Sequence, residues 1–311
     1  MQKLEFWLLT FERYLKTNGF AEVSVSDYLR NVKCFFEYLK ELQIGNVAEV
    51  DRRVIADYKE WLYGKSHRGK PLSAVTRGKR LICLKTFFRY LVRTEAALCD
   101  PTSDLELPKV KDQLPRDILT KKEIGELLCA PDLHSLYGIR DRAILEVFYS
   151  TGIRVSELCG LTVEDADLRN EELKVKGKGG KERIVPLGEV VCDYLEFYLA
   201  ESRPKLASRD EELLFVTKSG RKFHYTNVSH MVRDYGKKVG IKKRVTPHSL
   251  RHTCGTHLLK GRADIRQIQK ILGHASIGTT QRYTRVEIGD LKKVLKRCHP
   301  RERREIEAEH V

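Results

Sequence analysis

Apolar side chains recur every three or four residues through the first hundred positions, which is the period of an amphipathic helix. Breaks in this pattern divide the region into four predicted helices. Their apolar stripes are, in order, Leu4, Leu8, Phe11 and Leu15; Leu29, Val32, Phe36 and Leu39; Val54, Tyr58 and Trp61; and Leu81, Leu84, Phe88 and Leu91. Four such stripes can enclose one core, so the pattern predicts a small helical domain.

Local residues indicate where these helices begin and end. Gly19 follows the first stripe and predicts its C-terminal end. The segment from Ser24 to Asp27 resembles a capping box and predicts the start of the second helix. The third helix is expected to open after Asp51 and to end near Gly64, and the fourth to span about residues 73–93.

The helical period stops between residues 107 and 117, where two prolines and mixed charges predict a linker. It resumes at a capping box formed by Thr120 and Glu123. We therefore predict a first domain over residues 1–106 and a second over residues 118–311.

The second domain is predicted to be mainly helical with one small β insertion. Two strand-like runs, Glu172 to Lys176 and Glu182 to Pro186, flank the glycine-rich turn from Gly177 to Gly180 and predict a hairpin. Leu213 to Val216 is a candidate for a further strand. Helices are expected around residues 188–203, 226–239, 247–260, 264–272 and 277–284.

Composition indicates the class of partner. The 311 residues are 41% hydrophobic and 32% charged, which is typical of a globular protein, and the formal net charge is +15. A strong positive charge favours nucleic acid over a basic surface kept for solubility. No apolar run reaches the ~20 residues that span a bilayer, so no membrane partner is predicted. The eight cysteines lack metal-site spacing, and we predict a cytoplasmic protein without structural disulfides.

The fourth helix offers a candidate DNA-facing surface. Basic residues lie away from its apolar stripe, and no acidic residue interrupts it between residues 73 and 93. An ordinary solvated face would explain the same pattern, but the missing acids favour contact with phosphates. The predicted DNA-binding residues are Arg77, Lys79, Arg80, Lys85 and Arg89.

The first candidate site residues lie just after Thr246 and Pro247, a pair that is typical of a helix N-terminus. His248 and Arg251 are three residues apart on the first turns of that helix and are expected to share a face. Unpaired N–H groups at a helix start also suit phosphate. Taken alone, this pair is weak evidence, and two ordinary surface residues would be the preferred interpretation.

Arg154 and Lys178 lie further upstream. Arg154 follows a glycine turn at the head of a short helix, where Glu157 could orient its guanidinium, and its apolar neighbours predict a buried side chain. Lys178 is placed at the tip of the predicted hairpin, from which a flexible lysine could donate a proton. An exposed turn lysine is the simpler alternative, and Lys181 competes for the same role.

His274 ends one predicted helix and Tyr283 lies in the next. A phenol titrates near pH ~10, and clustered cations would favour its phenolate, as a nucleophile requires. Tyrosine on an amphipathic helix otherwise belongs to the core. A cationic site with one phenol suits phosphoryl transfer, because the transferred group spreads negative charge over its oxygens.

Five motifs then resemble the tyrosine recombinase (phage integrase) family, most closely its Xer-type branch. They are TGIRVSEL, VKGKGGKERIVPLG, TPHSLRHTCGTHLL, ILGHASIGTTQRYT and CHPR, in the order that the family has them. The resemblance covers the whole second domain, and the first looks like the family's core-binding domain. The implied fold is mainly α with a small β insertion: an N-terminal four-helix, SAM-like core-binding domain and a C-terminal catalytic domain.

The resemblance also implies roles for the candidate residues. Tyr283 would attack the scissile phosphate and form a 3′-phosphotyrosyl bond, while Arg154 and Arg251 hold the non-bridging oxygens. His248 would assist proton transfer. The remaining two, His274 and Lys178, would respectively bind the phosphate and protonate the departing 5′-oxygen. No metal, cofactor or ATP is implied.

The implied partner is a double-stranded DNA recombination site, bound by a homotetramer or by a heterotetramer with a paralogue, with strand exchange through a Holliday junction. Leu291, Val294 and Leu295 mark a candidate helix for docking on a neighbouring subunit. The implied location is the cytoplasm, in association with the nucleoid. No accessory protein is indicated.

Three alternatives remain: a type IB topoisomerase, a non-catalytic DNA-binding protein on the same fold, and a phage-type integrase. The last commonly adds an N-terminal arm-binding domain, which we do not expect here because the first predicted helix begins almost at residue 1. The Xer-like spacing argues against the first, and the six retained residues argue against the second. Three departures from the family pattern, Gly255, Arg285 and a long tail after Arg301, leave those six positions intact. They leave open whether the role is chromosome or plasmid dimer resolution or the movement of a mobile element.

Overall fold

A computed structural model describes residues 2–67, 69–109, 117–177, 180–207, 212–273 and 285–306. The chain divides into two compact units, Met1–Asp112 and Gln113–Val311. Their division falls within the segment 107–117 that the sequence assigns to a linker. Each unit has its own hydrophobic core.

The first unit contains the four expected helices. They are α1 (Gln2–Thr17), α2 (Glu22–Glu41), α3 (Arg52–Gly64) and α4 (Ala74–Arg93). A two-residue hairpin that the sequence did not predict, β1 (Ser66–His67) with β2 (Lys70–Pro71), lies between α3 and α4.

Aromatic rings fill the core of this helical unit. Phe35 meets Tyr58 edge to face with ring centroids 4.9 Å apart, and Phe11 meets Phe87 in the same way at 5.2 Å. These four side chains are fully buried. Edge-to-face pairs add specific geometry to the burial of apolar area, so they fix how the helices pack.

Most of the predicted helix starts and ends are found, including the end of α3 at Gly64. Asp51 accepts a hydrogen bond from the backbone N–H of Val54 at 2.9 Å, and Ser73 caps α4. Gly19 follows α1 with a φ of 75°, in the left-handed region. The capping box predicted from Ser24 to Asp27 is wrong: α2 begins at Glu22, because Val25 is a core residue and must already lie on the helix.

The second unit is mainly helical. Its helices are α5 (Lys121–Leu128), α6 (Leu136–Thr151), α7 (Val155–Leu158), α8 (Glu189–Phe197), α9 (Arg203–Leu206), α10 (Tyr225–Lys238), α11 (Pro247–Lys260), α12 (Ile265–Leu272) and α13 (Arg285–Cys298). A π-helical segment, Tyr198–Ser202, joins α8 to α9 within the predicted helix 188–203. The predicted helix at 277–284 lies outside the described residues.

The β insertion is a three-stranded antiparallel sheet in the order β3 (Ala166–Asp167), β4 (Glu172–Lys176), β5 (Glu182–Pro186). The predicted hairpin is confirmed, and Val175 pairs with Arg183 in its register. The strand predicted at Leu213 to Val216 is wrong. Its ends form only isolated bridges, and its apolar run fills the core from a loop.

Helix α6 carries a buried ionic cluster. Glu146 accepts hydrogen bonds from Arg142 at 3.1 Å and from Arg301 at 2.9 Å, and all three side chains are fully buried. Arg142 also donates to the hydroxyl of Tyr194 at 2.8 Å. Because Arg301 follows α13, this cluster attaches the C-terminal segment to the centre of the second unit.

Two buried histidines, His257 and His299, contact Tyr149 of the same helix, α6. The ring Nε2 of His299 lies 3.2 Å from the carbonyl oxygen of Tyr149, and the Tyr149 hydroxyl lies 2.9 Å from Nδ1 of His257. Burial lowers the pKa of His257 to about 4 and that of His299 to about 3. Both imidazoles are therefore neutral at pH 7, and Nε2 of His299 donates to the carbonyl.

Acidification should consequently destabilise the second unit. Both histidines bind protons in the unfolded chain near pH ~6.5 but resist protonation when folded, so the unfolded state binds more protons as the pH falls from there towards 3. We expect the free energy of unfolding to fall by up to ~1.4 kcal/mol per pH unit for each histidine below pH ~6.

Urea unfolding at pH 7, 6 and 5 measures this slope. The variant His299→Gln removes one of the two groups and should flatten the slope, whereas His134→Gln changes an exposed ring and should not. Equal slopes for wild type and His299→Gln would contradict the assignment.

All eight cysteines are free thiols, and Cys83, Cys159, Cys192, Cys254 and Cys298 are buried. Burial raises the pKa of Cys254 to about 12, so this thiol stays protonated. Among the described residues, no helix is both long and apolar enough to cross a membrane.

Candidate active site

Helix α11 begins as the sequence predicts. Thr246 and Ser249 form a capping box, with Ser249 N–H donating to Thr246 Oγ1 at 3.0 Å and Thr246 N–H donating to Ser249 Oγ at 2.8 Å. Pro247 occupies the first helical position. The cap sets the helix start, and therefore the positions of His248 and Arg251 on its first two turns.

The side chain of Arg251 is buried and held by two backbone carbonyls. Its Nη1 donates to the carbonyl of Gly152 at 2.5 Å and its Nη2 to that of Leu272 at 2.6 Å. Burial, and then the charge of Arg154, lower the pKa of Arg251 to about 10. The guanidinium is therefore still charged at neutral pH, and its orientation is fixed from two sides.

Arg154 is oriented by Glu157. The carboxylate accepts from the backbone N–H of Arg154 at 2.7 Å and from its Nη1 at 2.9 Å, while Nη2 lies 3.3 Å from the carbonyl of Gly273. The sequence predicted a buried arginine, and this is wrong: the side chain is 46% exposed. A carboxylate, rather than the apolar neighbours, holds it, so the guanidinium is both fixed and accessible.

A third arginine, Arg183 on β5, was missed by the sequence reasoning. Its Nη1 and Nη2 donate to the two oxygens of Glu157 at 2.8 and 2.9 Å, and its side chain is 10% exposed. One signal could have revealed it: Arg183 is two residues from Val185, a core residue, and so shares its face of the strand. An arginine on an apolar face needs a buried partner.

Two glycines in the left-handed region allow these elements to meet. Gly152 has a φ of 61°, and a Cβ there would lie 2.4 Å from Cδ2 of Leu272. Gly273 has a φ of 64°, and a Cβ there would lie 2.4 Å from Nε of Arg183. Neither position tolerates a side chain without movement of its neighbours, so the close approach of the three arginines depends on both.

Glu157 stays ionised within this cluster. Burial alone would raise its pKa, but hydrogen bonds from Arg183 and from the backbone of Arg154 outweigh burial, and the pKa is lowered. The charges of Arg154, Arg183 and Arg251 together with that of Glu157 leave a local net charge of +2 (three minus one). The site is therefore suited to an anion such as a phosphate.

His248 lies on the exposed side of α11, in contact with His252. The two Nε2 atoms are 2.9 Å apart, so one ring donates an N–H hydrogen bond and the other ring accepts it. Burial lowers the pKa of His248, and the charges of His252 and Arg251 lower it further. A neutral imidazole at pH 7 can accept a proton from a nearby donor. His252 was also missed by the sequence reasoning.

Three of the six predicted catalytic residues are thus placed. Arg154 and Arg251 are brought together beside Gly273, and His248 is on the same helix as Arg251. The other three, Lys178, His274 and Tyr283, lie outside the described residues. In sequence, Lys178 directly follows Gly177, whose N–H donates to the carbonyl of Lys181 at 2.7 Å, and His274 directly follows Gly273.

The basic face of α4 is only partly available for DNA. The five predicted residues are Arg77, Lys79, Arg80, Lys85 and Arg89. Several bind their own unit: Arg77 donates to the carbonyl of Leu72 at 2.5 Å, and Lys79 forms an ion pair with Asp27 at 2.5 Å. Arg89 is exposed. DNA contact by this face stays a prediction.

The chain resembles known protein families over both units. Residues 117–288 match the model of the phage integrase family, and residues 8–95 match that of the phage integrase N-terminal SAM-like domain. Tyrosine recombinase XerD of Staphylococcus aureus is 37% identical over 295 residues, which cover 93% of this chain and 98% of the relative. The XerD of Staphylococcus epidermidis is 37% identical over 284 residues, 91% and 94% of the two chains.

Solved structures share the fold. XerH site-specific recombinase bound to a palindromic difH substrate matches with a TM-score of 0.67 and 22% identity, over 88% of this chain and 78% of that one. A lambda integrase dimer bound to a core site matches with a TM-score of 0.67 and 20% identity, over 88% and 95%. These confirm the predicted fold, a mainly α protein with a SAM-like domain and a catalytic domain. The chain therefore belongs to the phage integrase family of tyrosine recombinases, in its Xer-like branch, and is a site-specific recombinase that cleaves and rejoins DNA.

Proposed function

We propose that Tyr283 is the nucleophile of this recombinase and that Arg154 and Arg251 bind the scissile phosphate. One observation carries the proposal: two guanidinium groups converge beside Gly273, one fixed by backbone carbonyls and the other by a carboxylate. Two rigid, fork-shaped donors match two non-bridging phosphate oxygens.

The reaction is a transfer of the phosphoryl group from one oxygen to another. The Tyr283 hydroxyl oxygen forms a bond to phosphorus while the bond to the 5′-oxygen breaks, which leaves a 3′-phosphotyrosyl link and a free 5′-hydroxyl. The phenolic proton passes to a base, for which His248 is the candidate because its lowered pKa leaves the imidazole neutral and able to accept a proton at pH 7. Lys178 supplies the proton to the departing 5′-oxygen, and His274 binds the phosphate.

Rejoining is the same reaction in reverse. A 5′-hydroxyl from the partner DNA attacks the phosphotyrosyl bond and releases the tyrosine. The energy of the broken bond is kept in that link, so the exchange needs no ATP. The arginines stabilise the charge that develops on the phosphoryl oxygens in both directions.

A type IB topoisomerase would use related chemistry on one DNA duplex. The 37% identity to XerD over nearly all of both chains favours recombination between two sites. A non-catalytic DNA-binding protein would have no need of the ordered arginines at Gly273. We therefore favour recombination, for dimer resolution or for the movement of a mobile element, on DNA in the nucleoid.

The assembly we propose is a tetramer on two DNA sites, from one kind of chain or from this chain and a paralogue. It is supported by a lambda integrase tetramer bound to a Holliday junction, which has the same fold with a TM-score of 0.66 and 19% identity. Helix α13 is the candidate for exchange between subunits. In the single chain, its Leu291, Val294 and Leu295 are buried in the core of their own unit.

This packing changes how exchange by α13 is tested. Truncation after Gly289 would remove these three core side chains together with the buried His299 and Arg301, and would unfold the unit rather than report on assembly. Analytical ultracentrifugation of the intact chain with DNA is the better measurement. A tetramer on two bound sites supports the assembly, and single chains on separated sites contradict it.

Covalent-adduct formation tests the proposed chemistry. The wild-type protein first selects a binding site from a random duplex library, and that site is then nicked beside the scissile position so that the cleaved end cannot rejoin. We expect a protein–DNA band on a denaturing gel for wild type and for Tyr225→Phe, an exposed tyrosine, but not for Tyr283→Phe. An adduct in Tyr283→Phe would contradict the proposal.

A further inference from the structure

The carboxylate of Glu157 is shared between two arginines. Its Oε1 accepts from Nη1 of Arg154 at 2.9 Å and from Nη1 of Arg183 at 2.8 Å. Its Oε2 accepts from the backbone N–H of Arg154 at 2.7 Å and from Nη2 of Arg183 at 2.9 Å. Each carboxylate oxygen therefore has one hydrogen bond from each arginine, and the position of one guanidinium depends on the other.

The two arginines differ in how firmly the fold holds them. Arg183 lies on β5, paired with Val175 of β4, and its side chain is 10% exposed. Arg154 lies between α6 and α7, and its side chain is 46% exposed. The buried, sheet-anchored arginine is the fixed partner. The accessible one takes its direction from the carboxylate.

We propose that Arg183 is a positioning residue for the recombination chemistry: its two-pronged contact with Glu157 fixes the carboxylate that orients Arg154. This inference rests on the proposed function of Arg154 at the scissile phosphate. Arg183 acts through Glu157. It is distinct from the six residues that the sequence motifs indicate.

The charges support the same role. With Arg183 absent, the single carboxylate of Glu157 would face Arg154 alone and neutralise it, which weakens its attraction for a phosphate. With Arg183 present, the carboxylate is divided between two cations. Arg183 therefore both fixes Glu157 and keeps Arg154 available to an anion.

Lysine is not an adequate replacement for Arg183. An ammonium keeps the charge, but it is a point donor and cannot span both carboxylate oxygens in the plane of the guanidinium fork. Arg183→Lys therefore separates geometry from charge. Arg183→Met removes both while keeping much of the apolar side chain.

The test measures cleavage and binding separately. The DNA is a site selected from a random duplex library by the wild-type protein and nicked beside the scissile position. We expect Arg183→Lys to lower the rate of adduct formation at saturating protein by about 10- to 100-fold, as a small misplacement of a catalytic group does. The DNA Kd should change by less than about threefold, because only Arg154 among many contacts is displaced.

A double variant tests whether the effect passes through Glu157. Glu157→Gln removes the shared carboxylate charge, so Arg183→Lys should add little to the loss in the double variant. Rate losses that multiply in the double variant would overturn the proposal, because Arg183 would then act independently. Melting temperatures of all variants identify any that do not fold. Should Arg183→Met not fold, Arg183→Lys and the double variant still decide the question.

Two controls complete the experiment. Arg169→Lys makes the same chemical change at an exposed residue in the turn between β3 and β4 and should leave the rate unchanged. Tyr283→Phe should abolish the adduct. An adduct in Tyr283→Phe would overturn the proposed function itself, whereas a normal rate in Arg183→Lys and Arg183→Met would overturn only this inference.

Discussion

Arg251→Lys should lower the rate of covalent-adduct formation by about 10²- to 10³-fold at saturating protein, as the loss of one donor to a developing oxyanion does. The guanidinium of Arg251 is fixed by the carbonyls of Gly152 and Leu272, which take two of its donor groups and set the direction of the rest. A lysine ammonium keeps the charge but cannot hold both carbonyls and a phosphate oxygen in one plane.

The measurement is a single-turnover assay on the selected, nicked site, with the DNA Kd determined in parallel. Arg262→Lys is the matched control, because Arg262 is exposed just after α11 and the substitution is chemically the same. Its rate should equal that of wild type. A rate for Arg251→Lys within about threefold of wild type would remove Arg251 from the phosphate site.

The second large effect concerns stability. Glu146→Gln should destabilise the second unit by about 3–5 kcal/mol, because it leaves two fully buried arginines, Arg142 and Arg301, without their carboxylate. A buried charge that loses its counter-charge keeps the cost of desolvation but loses the Coulombic attraction that offset it. Arg301 follows α13, so the loss should also loosen the C-terminal segment from α6.

Urea unfolding followed by far-ultraviolet circular dichroism measures the change. Glu201→Gln is the control: its ion pair with Lys205 is exposed on both sides, and such pairs contribute less than about 1 kcal/mol. A loss below about 1 kcal/mol for Glu146→Gln would show that the buried cluster does not hold the C-terminal segment.

Local patterns were enough to predict most of the helices. Apolar stripes predicted α1 to α4, and Asp51 and Ser73, near which α3 and α4 are expected to begin, cap those two helices. The prediction at Ser24 was wrong because a capping residue competes with burial, and the core position of Val25 extended α2 by a turn. A capping pattern, which involves only neighbouring residues, does not take such a tertiary contact into account.

In the candidate site too, the sequence predicts features that depend on neighbouring residues and misses those that depend on residues far away along the chain. Motifs identified Arg154 and Arg251 because each lies beside a recognisable turn or cap. The place of Arg183 in the site was not predicted, because its partner, Glu157, is 26 positions away along the chain. The wrong prediction of a buried Arg154 has the same cause: its apolar neighbours in sequence predict burial, while a carboxylate and a distant carbonyl determine its surroundings.

The central claim is that Tyr283 becomes covalently bound to DNA. Mass spectrometry of the purified adduct, after digestion by protease and nuclease, identifies the modified residue directly. We predict that a nucleotide remnant is attached to Tyr283 through its phenolic oxygen and that the released DNA strand carries a free 5′-hydroxyl. A remnant on any other residue, or a 5′-phosphate on the released strand, would contradict the account.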